Sequence, residues 1–239
     1  MTEPSSLPPI RMKALLARLG RKTAANPGIL VFLLVTLVGA PNALNAWLAL
    51  NVSATMILVS AIAGLMGVLA TTALCWMALD QAHDAPVTLD SVVSAGFRNY
   101  LTGWQVLVII AIGYLVAALL LFLPAILVLA ALLLALPHAL IRHDGVLAAL
   151  SNSVRIGLRS AGVLLAFAGA AVVVQLAIGF TPRFLPGLGE PAIRFIAPAA
   201  AGLAAMLNAF VIAIGGAAAY EEAMGDPALA PETTAEVFD

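Results

Sequence analysis

The chain has 239 residues, of which 63% are hydrophobic and 10% charged, and its mean hydropathy is +1.08. A soluble domain carries about a quarter charged residues, so this chain lacks the polar material to cover a water-facing surface, and a polytopic membrane protein is the class that fits. With 11 Lys and Arg against 12 Asp and Glu there is no basic stripe for nucleic acid, and the single Cys75, set in an apolar run, excludes a disulfide scaffold.

In chain order, residues 1–28 form a basic segment with Arg11, Lys13, Arg18, Arg21 and Lys22, in which Met12, Leu15, Leu16 and Leu19 make a helical apolar stripe. No cleavage-type apolar region precedes the first span, so this segment reads as retained rather than as a removable signal peptide. A helical span needs about 20 mainly apolar residues to cross about 30 Å of hydrocarbon. Six stretches qualify: 29–50, 53–79, 104–123, 125–141, 162–180 and 195–220. The third and fourth are joined through Pro124, and the fourth is near the lower length limit. A helical hairpin turning at residues 122–125 is the natural reading, with a re-entrant pair as the alternative. The predicted fold is all-α: a single six-helix membrane domain over residues 29–220 with amphipathic interfacial helices. Residues 221–239, rich in acidic residues with Pro227 and Pro231, are expected to be a disordered tail.

Two further connections carry apolar stripes before running into a span. Leu89, Val92, Val93, Phe97 and Leu101 make one, with Arg98 on another face; Leu147, Leu150, Val154 and Leu158 make the other, with Asn152, Arg155 and Arg159 on the polar side. Each stripe ends at a small or turn-forming pair, and Ser94 to Gly103 repeats the spacing of Ser153 to Gly162. The pattern predicts three units, each an interfacial helix followed by a membrane hairpin. Arg98, Arg155 and Arg159 are then candidate lipid-headgroup contacts. Two accounts stay open: plain membrane-surface connections, or a platform facing lipid or a partner.

With both termini on one side, nine of the eleven cations fall on that side, leaving Arg183 and Arg194 opposite. The positive-inside rule then places the termini in the cytoplasm.

The stretch Leu121-Phe-Leu-Pro, continuing through Leu136-Pro-His-Ala-Leu-Ile-Arg-His-Asp-Gly into Ala148-Ala-Leu-Ser-Asn-Ser-Val-Arg, resembles the YciC-like family of bacterial inner-membrane proteins. More distantly it resembles the membrane domain of glycerophosphodiester phosphodiesterases. Pro124, Pro137, Asp144-Gly145 and Ala149 with Ser153 stand at the family's positions, over about residues 90–180. The resemblance implies a bacterial inner-membrane protein without an assigned activity. The phosphodiesterases' catalytic domain has no counterpart here, and Arg142-His143 precede Asp144 where the family often has a Glu.

No span carries Asp, Glu, Lys or Arg near its centre, which argues against a proton relay or charge-moving carrier. His138, after Pro137, reads either as a donor to a carbonyl freed by the proline or headgroup, or as a functional imidazole. Asp80, His83, Asp84, His138, His143 and Asp144 fit no metal spacing, and no nucleophile elbow, phosphate loop or Cys-x-x-Cys exists. The expectation is a non-enzymatic protein with no cofactor and no metal. Asn42 and Asn45 share a face of the first span and, with Asn208 or Gln175, would either line a polar cavity or hydrogen-bond between helices. Small residues at Ser60-Gly64 and Ala63-Gly67-Thr71, and the four-residue ladder Ala197, Ala201, Ala205, Ala209, Ala213, Ala217, predict close helix packing. The leading expectation is a membrane component binding lipid or a partner protein, with membrane lipids, a homo-oligomer or another membrane protein as partners. A small transporter or channel for a neutral or amphiphilic solute is the alternative; a lipid-modifying enzyme would need an acid-base site that the sequence does not show.

Overall fold

The computed structural model describes residues 9–49, 55–80, 87–120, 122–142, 145–184 and 190–224. These are helical almost throughout, as the composition and periodicity require. The elements are α1 (Met12–Ala25), α2 (Pro27–Ala49), α3 (Thr55–Asp80), α4 (Leu89–Arg98), α5 (Tyr100–Leu120), α6 (Phe122–Leu132), α7 (Ala135–Arg142), α8 (Val146–Arg159), α9 (Ala161–Phe184) and α10 (residues 190–224). Among them, five helices are long and apolar enough to cross a membrane, which makes this a multi-pass membrane protein by length and composition.

The fourth predicted span differs from expectation. Rather than one continuous helix over 125–141, it is α6 and α7 separated by a turn at Leu133–Leu134. The physical cause is Pro137, which has no N–H for the Leu133 carbonyl and whose ring crowds it. The ladder resumes one residue later, where the His138 N–H donates to the Leu134 carbonyl at 3.1 Å. The freed Leu133 carbonyl is covered by α10 at Gly216, where a Cβ would lie 2.7 Å from that oxygen. Residues 133–140 are all buried, so α7 is a plug inside the bundle, packed among α3, α5, α8 and α10.

Two helices contain a π-helical turn: Leu34–Gly39 in α2 and Val211–Gly215 in α10. The first immediately precedes Ala40-Pro41, and the Ala40 N–H reaches back five residues to Val35. Widening the helix here relieves the contact between Pro41 and the preceding turn. The second is followed by Gly216. There a Cβ at Gly215 would sit 2.8 Å from the Phe167 ring.

The predicted repeat is visible as element order. A short amphipathic helix, a bend and two membrane segments recur three times, with bends at Asn26, Asn99 and Ser160. Gly145, at φ +84°, supplies the left-handed residue that starts α8. Each amphipathic helix packs on the second arm of the hairpin before it: α4 on α3 and α8 on α6, while α1 closes the circle on the end of α10. Glycines allow the first two contacts, Gly96 against Ala73 and Gly157 against Ala131.

The closing contact is ionic. The Lys22 ammonium, 6% exposed, donates to the Ala78 carbonyl and lies 2.5 Å from Glu221 Oε1. Arg18 Nε lies 2.9 Å from Glu222 Oε2. The expected tail boundary therefore moves: α10 runs through Glu221 and Glu222 to Met224, and the remaining tail lies outside the described residues. These pairs mark one end of the bundle, the Lys22 end, where α1, α4, α7 and α8 also lie.

Removing one partner of a buried ion pair leaves an uncompensated charge and costs about 3–5 kcal/mol. Lys22→Met is therefore expected to lower the thermal midpoint of the detergent-solubilised protein markedly, and Lys22→Met with Glu221→Met to recover much of the loss. An unchanged midpoint for Lys22→Met alone would contradict the assignment.

Candidate functional site

The membrane helices form a ring in the order α2, α3, α5, α6, α9, α10 and back to α2, each packed against the next. Inside it lies a cavity of about 610 Å³ to which all six contribute. Toward the Lys22 end the ring is filled, because α3 packs directly on the Val211–Gly215 turn and α7 occupies the centre. Leu74, Met77, Leu133 and Ile214 are fully buried there.

The cavity wall is mainly aliphatic, with polar side chains from Asn42, Thr71, Tyr114, Gln175 and Asn208. Among the described residues that line it there is no Asp, Glu, Lys, Arg or His. Both π-helical turns border it, through Val38 and Ile212, a placement typical of such turns at functional sites. The Asn42 amide donates to the Val38 carbonyl at 2.8 Å, so Nδ2 serves the perturbed backbone next to Pro41 and Oδ1 remains to accept. Thr71 donates to the Gly67 carbonyl at 2.7 Å. Gln175 and Asn208 supply two more primary amides on α9 and α10.

The two alternatives for the asparagine face are therefore divided between its members. Asn42, Asn208 and Gln175 come together at the cavity. Asn45 is not part of the wall; its Oδ1 accepts a 2.7 Å hydrogen bond from the Ser60 hydroxyl across the α2–α3 contact. Three residues turn a helix by about 300°, so Asn45 sits about 60° away from Asn42, enough to face α3.

Of the small residues of α3, Ser60 makes a helix contact as expected, whereas the two glycines do not. Gly64 and Gly67 were expected in helix–helix contacts, but both line the cavity and a methyl group at either would meet no atom within 4 Å. The alanine ladder of α10 does serve successive neighbours. Ala205 and Ala209 face the cavity, while Ala213 and Ala217 are completely buried.

Arg98, Arg155 and Arg159 are all exposed, on α4 and α8. Beside them stand apolar side chains that are also exposed: Phe97 at 64%, Leu158 at 70% and Leu147 at 80%. A helix face that offers large apolar groups and arginines together matches the boundary between acyl chains and headgroups. Arg155 Nη2 donates to Asn152 Oδ1 at 3.2 Å, and Asn152 Nδ2 lies 3.2 Å from His138 Nε2. His138 also meets the Tyr220 ring edge-on. The imidazole is thus held by a side-chain amide and an aromatic ring. Among the described residues no group of His, Cys, Asp and Glu is arranged to hold a metal; His83, Asp84, His143 and Asp144 lie outside them.

Sequence reasoning missed the Lys22–Glu221 pair, although a signal was present. Lys22 lies seven residues after Leu15, on the apolar stripe of α1, and a cation on an apolar face needs a buried partner.

No protein family, curated protein or solved structure matches the chain. The resemblance to YciC-like proteins accordingly rests on the sequence motifs alone.

The two classes of asparagine are separable by experiment. In a double-mutant cycle on Asn45→Ala and Ser60→Ala, a coupling of about 0.6 kcal/mol is expected, the average for such bonds between membrane helices. Asn208→Ala paired with Ser60→Ala is expected to show none. Reversible unfolding in mixed micelles reads both, and equal coupling for the two pairs would refute the division.

Proposed function

We propose that this chain is a non-enzymatic integral protein of the bacterial inner membrane, of the YciC-like kind, that binds membrane lipid or a lipid-like amphiphile. The observation that carries the reading is the cavity inside the helix ring: apolar walls and, among the described residues that line it, three primary amides and no charged side chain. Its volume falls within the about 300–1,000 Å³ usual for small-molecule sites. Aliphatic walls suit a hydrocarbon chain, and amides suit a neutral hydrogen-bonding group, whereas a charged solute would be desolvated there with no opposite charge to meet it. Arg98, Arg155 and Arg159, beside exposed Phe97, Leu147 and Leu158, would hold anionic headgroups at the cytoplasmic surface. The clustering of basic residues at the Lys22 end supports cytoplasmic termini.

A second reading, transport of a neutral or amphiphilic solute, is favoured by one feature. Leu129 of α6, about one turn before the break in the discontinuous α6–α7 segment, lines the cavity, as broken helices border the sites of many carriers.

Lipid extracted from the purified protein and weighed by native mass spectrometry tests the binding reading directly. Wild-type protein is expected to retain anionic phospholipid through brief delipidation. Arg155→Ala with Arg159→Ala should lose most of it, because each cation near an anionic surface contributes about 1 kcal/mol, or roughly fivefold. Equal retention by the double variant would remove the headgroup role of these arginines.

A further inference from the structure

We propose that the cavity is filled sideways from the bilayer, through a gap between α3 and α5, and that its ligand is a single-chain amphiphile with an uncharged hydrogen-bonding head. The proposal rests on the lipid-binding reading and specifies its ligand and its route.

The gap follows from how α3 and α5 meet. Near the Lys22 end the two helices are in close contact: a side chain at Gly103 would overlap the Thr72 hydroxyl, and Thr72 is itself fully buried. Farther along, the helices separate. Gly67 and Gly64 of α3 face open space, and Gly64 is exposed although it lines the cavity. On α5, Val106 and Ile110 are buried, but Ala111 and Leu115 are exposed while still lining the cavity. From Gly103 to Leu115 is about 18 Å at about 1.5 Å per residue, so the opening lies well within a membrane-spanning length. Its rim is hydrocarbon-like: Leu65, Ile112 and Val116 are each more than half exposed. A mouth with such a rim opens onto acyl chains, so what enters it is already dissolved in the membrane.

The position of the amides sets the orientation. In the ring order, α9 and α10, which carry Gln175 and Asn208, lie across the cavity from the α3–α5 gap, and Asn42 on α2 adjoins α10. A head group would reach these amides while its chain trails back through the gap. The head must both donate and accept hydrogen bonds, as hydroxyl and N–H amide groups do. An anionic phosphodiester or carboxylate head would sit without a cation, at high desolvation cost. A monoacylglycerol or fatty alcohol has the chemistry that fits.

The test uses full-length protein in detergent, titrated with 1-monooleoylglycerol and read by native mass spectrometry. Wild type is expected to bind one equivalent. Gly67→Phe and Gly64→Phe, which place a ring in empty space, should each weaken binding at least tenfold, as should Asn42→Leu combined with Asn208→Leu. Gly169→Phe, on α9, is also free of neighbours within 4 Å but does not line the cavity, so it should leave binding unchanged. Thermal midpoints near wild type certify that each variant is folded; Gly67→Leu replaces Gly67→Phe if the latter is not. Undiminished binding by folded Gly64 and Gly67 variants overturns the route. Retention of phospholipid by wild type with no uptake of the monoacylglycerol overturns the ligand class and leaves the lipid-binding reading standing. Failure to retain any lipid at all overturns both.

Discussion

Helices in hydrocarbon gain nothing from hiding apolar surface from one another, because lipid tails are as apolar as leucine, so their association depends on close backbone approach and satisfied polar groups. The glycines of this protein record where that constraint is met. At Gly202 a Cβ would lie 2.7 Å from the Gly39 carbonyl, which brings α2 and α10 together; Gly103 does the same for α5 on α3, and Gly216 for α10 on the broken α6–α7 segment. Gly64 and Gly67 have the same residue type and comparable spacing but face empty volume. One residue type both joins the ring and leaves its interior open, and the difference lies in what stands opposite.

The ring also depends on polar groups being paired where the chain enters and leaves it. Lys22 and Glu221 bring two charges out of water, which is tolerable because the Ala78 carbonyl adds a hydrogen bond and the neighbouring Arg18–Glu222 pair extends the network. This contact ties the first helix to the last. The interruption at Pro137 is handled in a similar way, with the freed Leu133 carbonyl met closely by Gly216 and the buried His138 held by Asn152. The buried charged side chains among the described residues, Lys22 and Glu221, thereby sit together at one end of the bundle. The cavity beyond keeps an aliphatic wall with a few uncharged amides, a composition suited to a molecule that is mostly chain.

Composition and periodicity determined that the chain is an all-helical, multi-pass membrane protein, because a bilayer admits few other ways to satisfy the backbone of so apolar a sequence. They also determined the amphipathic helices before the spans, since a stripe such as Leu147, Leu150, Val154 and Leu158 has one helical solution, and they grouped the cations. The candidate cavity was legible only in part. Asn42, Gln175 and Asn208 stood out as amides in apolar runs, but a helical wheel cannot say which neighbour an amide meets, and Asn45 belongs to a helix contact instead. Pro137 marked an interrupted backbone ladder in the fourth segment, but tertiary structure alone decided three further matters: that Gly64 and Gly67 face a void, that the segment beyond the break turns inward as a buried plug, and that Lys22 joins Glu221 across nearly the whole chain. The physical reason is common to all three. Hydrophobic patterning specifies which face leaves water, but in a chain that is apolar nearly all round, the distinction between facing lipid, a neighbouring helix or a cavity is made only by the other helices.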